Sequence, residues 1–232
     1  MSDQGLPVLP AHHRRLLIDI FDLGRPYGLA LMGGYAVRAH GIVHRPSQDL
    51  DFATTHPTAL PQIADRLTQG LSARGWQVSA LHAAPLKARF LATDPGSGQS
   101  CEVDLLKEVL WQPPVVLGLG PVIALEDLIA TKVRALGDRG LPRDVIDVHA
   151  ASEQFSSGEL EALGARRPEE FDIQELHDRL ESVAWVSDAE FEAYGLEPTR
   201  IAELRHWAQR WQDDLAQRLA EPFTDSDDVG GY

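Results

Sequence analysis

Apolar and polar positions fall into two regimes along this chain. Up to about residue 107, helical and strand-like spacings alternate. Residues 11–24 (AHHRRLLIDIFDLG) carry apolar side chains at helical spacing and end at Gly24. Leu29 to Met32 is a short, unbroken apolar run of the kind found in a buried strand. Gly33-Gly34 follows, then an amphipathic stretch to His40, a polar loop, and a strand from about Leu50 to Thr54. Residues 57–74 place Leu60, Ile63, Ala64, Leu67 and Leu71 on one helical face, and Gly75 stops that helix. Three β-like runs come next: Trp76–Leu81, Leu86–Thr93 and Cys101–Lys107. The turn Asp94–Gln99 joins the last two as a hairpin.

Pro113-Pro114 and the Gly118/Gly120 pair mark a boundary. Beyond it the pattern predicts helices over 125–137, 143–152, 157–164, 172–184, 188–194 and 198–220. The expectation is an α+β chain with no internal repeat. A mixed sheet with flanking helices occupies 1–117, and a helical unit occupies 118–232, ending in an acidic tail from about residue 221.

Composition narrows the class. The 232 residues are 44% hydrophobic and 24% charged, ordinary values for a globular protein. No apolar run approaches the ~20 residues of a membrane span, and the first residues lack the apolar core of a signal peptide. A cytoplasmic protein without membrane partners is expected. The single Cys101 excludes an intramolecular disulfide and a cysteine-based zinc cluster. A net charge of −14 argues against indiscriminate nucleic-acid binding but leaves room for an RNA docked on a local basic patch.

The chemistry concentrates around Gly33-Gly34 and Asp49-Leu50-Asp51. Residues i and i+2 of a strand share a face, so Asp49 and Asp51 lie close and repel. A cation between them relieves that repulsion, and two carboxylates plus substrate phosphates describe a Mg²⁺ site. The Gly-Gly turn opening a helix offers backbone N–H groups to a phosphate. It is not followed by G-K-[ST], so it is no Walker A loop. Glu102 and Asp104 repeat the i, i+2 pattern on the third run. If that strand lies beside the one carrying Asp49 and Asp51, three carboxylates converge and could hold two divalent ions. The competing reading is two wet strand faces. Lys87 and Arg89 share a face and could offset phosphates, or simply be solvated.

In the helical half, Lys132 falls at the edge of an apolar face formed by Leu125, Leu128, Ile129, Val133 and Leu136. Arg143-Asp144-Val145-Ile146-Asp147 opens the next helix. There Asp144 can equally be a capping residue, and Arg143 and Asp147 a surface pair. The histidines His12, His13, His40, His44 and His149 show no metal-ligand spacing and read as surface or loop residues.

Taken together these residues resemble the nucleotidyltransferase superfamily with the polymerase-β-like fold, and more closely the AbiEii/AbiGii toxins of type IV toxin–antitoxin systems, which include the MenT toxins. The resemblance rests on Gly33-Gly34-Tyr35-Ala36 with Arg45-Pro46-Ser47-Gln48-Asp49-Leu50-Asp51, on Lys87-Ala88-Arg89, on Asp127 with Lys132 and Arg139, and on Arg143-Asp144-x-x-Asp147. It covers roughly residues 28–150. It implies that Gly33, Gly34 and Ser47 bind the triphosphate of an NTP, with Lys87, Arg89, Arg143 and Asp144 also on the nucleotide. Asp49 and Asp51 would hold Mg²⁺, one ion or two. Lys132 would contact the phosphates, and Asp147 or Asp144 would assist catalysis or orient Lys132. Asp104 as a third metal ligand comes from the wider superfamily and from the strand pattern. The implied acceptor is the 3′ end of tRNA, the implied partner a cognate antitoxin, and the site is expected in a cleft between the halves. Two alternatives stay open: a small-molecule nucleotidyltransferase of the aminoglycoside-modifying kind, and a non-catalytic NTP-binding member of the fold.

Overall fold

A computed structural model describes residues 9–220. The acidic stretch from residue 221 lies outside the described residues. The chain divides into two compact units, Met1–Ile129 and Ala130–Tyr232.

In the first unit the order is α1 (Ala11–Gly24), β1 (Ala30–Met32), α2 (Gly33–Ala39), β2 (Asp49–Thr54), α3 (Leu60–Ala73), β3 (Gln77–Ala83), β4 (Lys87–Thr93), β5 (Ser100–Lys107), β6 (Val115–Leu117) and β7 (Gly120–Val122). The strands form one mixed sheet of seven in the order β3-β4-β5-β2-β1-β7-β6. β2 runs parallel to β5 and antiparallel to β1, and β7 runs parallel to β1. Alternation sorts the faces. Leu50 and Phe52 on β2, Cys101, Val103 and Leu105 on β5, and Ala88, Phe90 and Ala92 on β4 are buried, and α1 and α3 pack on this sheet. Asp49, Asp51, Glu102 and Arg89, at the alternate positions, are only half-buried.

The second unit is helical among the described residues. α4 (Leu125–Asp138) carries the division between the units, and α5 (Pro142–Ala151), α6 (Ser157–Gly164), α7 (Ile173–Ser182), α8 (Asp188–Glu192) and α9 (Pro198–Ala220) follow. α9 packs against α5, α7 and α8. Capping boxes start α6 and α8, from Ser156 with Glu159 and Ser187 with Glu190.

The unit division differs from the boundary read at residues 117/118. The residues after Pro113-Pro114 form a hairpin of the sheet: β6 pairs with β7, and β7 joins β1 through Leu31 opposite Val122. β6 and β7 are three residues each and set among the prolines and glycines that read in sequence as a boundary, whereas β1, equally short, lies in the unbroken apolar run from Leu29 to Met32.

Leu50 is fully buried between the two aspartates. Leu50→Ala should lower stability by about 2–5 kcal/mol in urea denaturation. A cost below about 1 kcal/mol would contradict the placement of this strand.

Candidate active site

The polar face of the first unit is built at the β1–α2 turn. Gly33 has φ +65°, a left-handed conformation, and a Cβ there would lie 1.8 Å from Asp51 Oδ2. Glycine is therefore required twice, by backbone conformation and by the approach of the Asp51 carboxylate. A Cβ on Gly34 would fall 2.4 Å from Ser47 Oγ. The two glycines thus let the start of α2 lie against the segment that enters β2. Ser47 Oγ donates to Asp49 Oδ1 at 3.1 Å. Arg45, buried in the same segment, donates from Nη1 to the Pro46 carbonyl at 3.2 Å.

Register aligns the carboxylates. Asp49 stands opposite Glu102, and Asp51 opposite Asp104, on adjacent parallel strands. Asp104 does not, however, stand with the other two as a ready ligand. Arg89, opposite it on β4, donates from Nε and Nη2 to its two oxygens, each at 2.5 Å. Arg89 Nη1 also lies 3.0 Å from Glu102 Oε1, and Lys87 Nζ lies 3.6 Å from Asp104. The Asp104 hydrogen bonds hold Arg89 above the ordinary guanidinium pKa. Among the described residues no group of three or more His, Cys, Asp and Glu side chains is set to hold a metal ion. The remaining carboxylates at this register are Asp49 and Asp51. Their hard oxygens suit Mg²⁺, and the glycine backbone that crowds Asp51 leaves space no side chain could share.

Cys101 sits beneath this face. Its sulfur lies 3.4 Å from the Glu102 carbonyl oxygen and 3.8 Å from that of Gln48. Burial, with Asp49 and Asp51 nearby, pushes its pKa up to about 12, so it stays a thiol and no nucleophile.

In the second unit, Lys132 Nζ lies 3.0 Å from Asp147 Oδ2, and both side chains are buried. Asp144 accepts from Arg139 Nε at 2.8 Å and from Nη2 at 3.0 Å. The helix starts from Leu141 without a side-chain cap, and the buried Asp144 carboxylate is taken by Arg139, so Asp144 is not the cap. Asp147, fully buried on Lys132, is not half of a surface pair. Both face inward because α5 begins at Pro142 and turns Asp144 and Asp147, three residues apart, to one side. Arg143, in the first turn, is half-buried. Asp127, in the first unit, accepts from the backbone N–H groups of Trp111 and Gln112 at 3.1 and 3.0 Å, which makes it an anchor for the segment after β5.

Two residues were not singled out by the sequence. His13 is buried, against the expectation of a surface histidine, and its Nδ1 lies 2.6 Å from Tyr35 Oη. Tyr35 donates its hydroxyl proton to the Ser47 carbonyl at 3.1 Å. The signal was present: His13 is three, four and seven residues before Leu16, Leu17 and Ile20, and so shares their inward face. Burial, then the neighbouring His12, pulls the His13 pKa down to about 4. Burial pushes that of Tyr35 up to about 12.

Comparison with known proteins places the chain. A family model described as nucleotidyl transferase AbiEii toxin, type IV toxin–antitoxin system, matches residues 15–229. Among solved structures, JHP933 from Helicobacter pylori is similar at 16% identity, with a TM-score of 0.54 over 91% of this chain and 97% of that one. MenT4, a nucleotidyltransferase toxin from Mycobacterium tuberculosis, is similar at 18% identity, with a TM-score of 0.57 over 90% of each chain. At such identities the likeness is one of fold. No curated protein is significantly similar in sequence.

Gly33→Ala should cost clearly more stability than Gly41→Ala. Gly41 has φ +72° but no neighbour within 4 Å of the place a Cβ would take, so it carries only the backbone cost of about 1–2 kcal/mol. Equal losses in urea denaturation would refute the close approach of Asp51. The depressed His13 pKa predicts a second outcome. The unfolded chain binds the proton near pH 6.5 and the folded one near pH 4, so stability falls as pH drops through that window. The His13 contribution between pH 7 and 5 is about 2 kcal/mol, and His13→Asn should remove that part of the slope. An unchanged slope would show that His13 titrates normally.

Proposed function

The chain belongs to the AbiEii nucleotidyl transferase toxin family and is a nucleotidyltransferase, and from that premise we propose that it transfers a nucleoside monophosphate from an NTP to a hydroxyl at the 3′ end of tRNA in a Mg²⁺-dependent reaction. The observation that carries the reading is the pairing of Asp49 and Asp51 on one face of β2 with the Gly33-Gly34 backbone packed directly against that face. Two carboxylates on one strand face beside a glycine turn suit a nucleotide bound through a hard cation.

Each residue then has a role. Asp49 and Asp51 would hold Mg²⁺, which when bound supplies positive charge to the phosphates and to the attacking oxygen. Ser47 orients Asp49 and, with Gly33 and Gly34, lines the triphosphate. Asp104 seats Arg89; it would become a ligand for a second ion only by releasing that guanidinium. Arg89 and Lys87 present positive charge on the same face, where they offset the phosphates. Lys132, held by Asp147, would contact the nucleotide phosphates, and Arg143 would add to the charge that stabilises the leaving pyrophosphate. Asp144 fixes Arg139. The acceptor hydroxyl attacks the α-phosphorus, the bond to pyrophosphate breaks, and the acceptor gains the nucleotide through a new phosphodiester. Among the described residues no helix is long and apolar enough to cross a membrane, and a cytoplasmic reaction, opposed by a cognate antitoxin, completes the reading.

The test is transfer of label from each α-labelled NTP to total tRNA or to an aminoglycoside panel, with and without Mg²⁺. The expected result is labelled RNA, abolished by chelation. In the Asp49→Ala, Asp51→Ala double variant the rate should fall by about 10³-fold or more. Label on the small molecules alone would overturn the RNA acceptor, and unchanged turnover in the double variant would overturn the catalytic assignment.

A further inference from the structure

A buried polar chain leads from α1 to the catalytic face, and its protons can be placed. Tyr35 has one hydroxyl proton, and the Ser47 carbonyl, 3.1 Å away, can only accept it. Tyr35 Oη must therefore accept from His13 Nδ1, at 2.6 Å. With its pKa pulled down to about 4, His13 is neutral, so its proton sits on Nδ1. His13 and Tyr35 are 4% and 1% exposed, a depth at which a polar group without its partner is costly. The chain ends on a functional segment: the residue whose carbonyl Tyr35 holds is the one whose hydroxyl meets Asp49 Oδ1 at 3.1 Å. The Cys101 sulfur packs 3.8 Å from the next carbonyl, that of Gln48. Ser47 is thus held through its backbone on one side while its side chain points the carboxylate on the other.

We propose that Tyr35, seated by His13, is a positioning residue for nucleotidyl transfer: it fixes the Ser47–Asp49 segment and, through the Ser47 hydroxyl, the orientation of the Asp49 carboxylate. This rests on the assignment of Asp49 as a metal-holding residue made above. A plain packing role would need the tyrosine ring but not its hydroxyl. A positioning role needs the hydroxyl, and needs from residue 13 only an N–H at the place of Nδ1, which an asparagine amide can supply.

The experiment compares Tyr35→Phe, His13→Asn, His13→Ala and the Tyr35→Phe, His13→Ala double variant in the full chain. The readouts are kcat, KM for the NTP, and Mn²⁺ affinity by water-proton relaxation without nucleotide. Tyr35→Phe should lower kcat about 10- to 100-fold, as expected for a displaced reacting group, with KM changed far less. It should also weaken Mn²⁺ binding several-fold. His13→Ala should behave likewise, His13→Asn should stay near wild type, and the double variant should be no worse than Tyr35→Phe alone. Wild-type kcat and Mn²⁺ affinity in Tyr35→Phe, or equal losses in His13→Asn and His13→Ala, would overturn the proposal. If the wild-type chain transfers no nucleotide, the functional reading fails by itself, and the Mn²⁺ comparison still decides whether Tyr35 and His13 set Asp49.

Discussion

The register of β2 between β1 and β5 is the constraint from which the polar face follows. Strand residues alternate, so the register that buries Leu50 and Phe52 beside Val103 and Leu105 also brings Asp49 and Asp51 level with Glu102 and Asp104 on the other side. A slip of one residue would drive two carboxylates into the core and turn the apolar residues out, at a cost no local interaction could offset. The row continues across the sheet. Met32, Asp51, Asp104, Arg89 and His82 are successive partners on five adjacent strands. Acidic groups occupy its middle and a guanidinium the flank.

Close approach is the second consequence. The β1–α2 turn comes so near the Asp51 carboxylate that any Cβ on Gly33 would collide with it. Glycine at this turn joins two demands in one position: a left-handed φ and the absence of a side chain. The segment from Ser47 to Asp49 has no regular structure of its own until β2 begins, so its geometry depends on the grip of the Tyr35 hydroxyl from α2.

The helical unit concentrates charge where helices usually carry apolar groups. Asp144 and Asp147 are fully buried, each answered by a cation: Arg139 for the first and Lys132 for the second. Buried pairs seldom raise stability over well-packed apolar residues, whereas removal of one partner strands a charge in the interior. Asp147 fixes the direction of the Lys132 side chain through a 3.0 Å contact.

By itself the chain's pattern determined the helices, the longer strands and the shared face of Asp49 and Asp51, because periodicity and short-range spacing are local properties of sequence; the family was legible only as a resemblance of motifs. Whether β5 lies beside β2 could be stated only as a condition, and the sheet order met it. What tertiary structure alone decided were matters of distance between separated segments. Arg89 claims Asp104, because β4 and β5 pair in a register no motif encodes. Asp144 pairs with Arg139 rather than capping its helix, and Asp147 with Lys132 rather than with Arg143 on the surface, because of what packs around α5. The β6–β7 hairpin extends the sheet through short strands set among prolines and glycines. His13 reaches Tyr35 across 22 residues of sequence, and only the packing of α1 against the start of α2 brings the two rings within hydrogen-bonding distance.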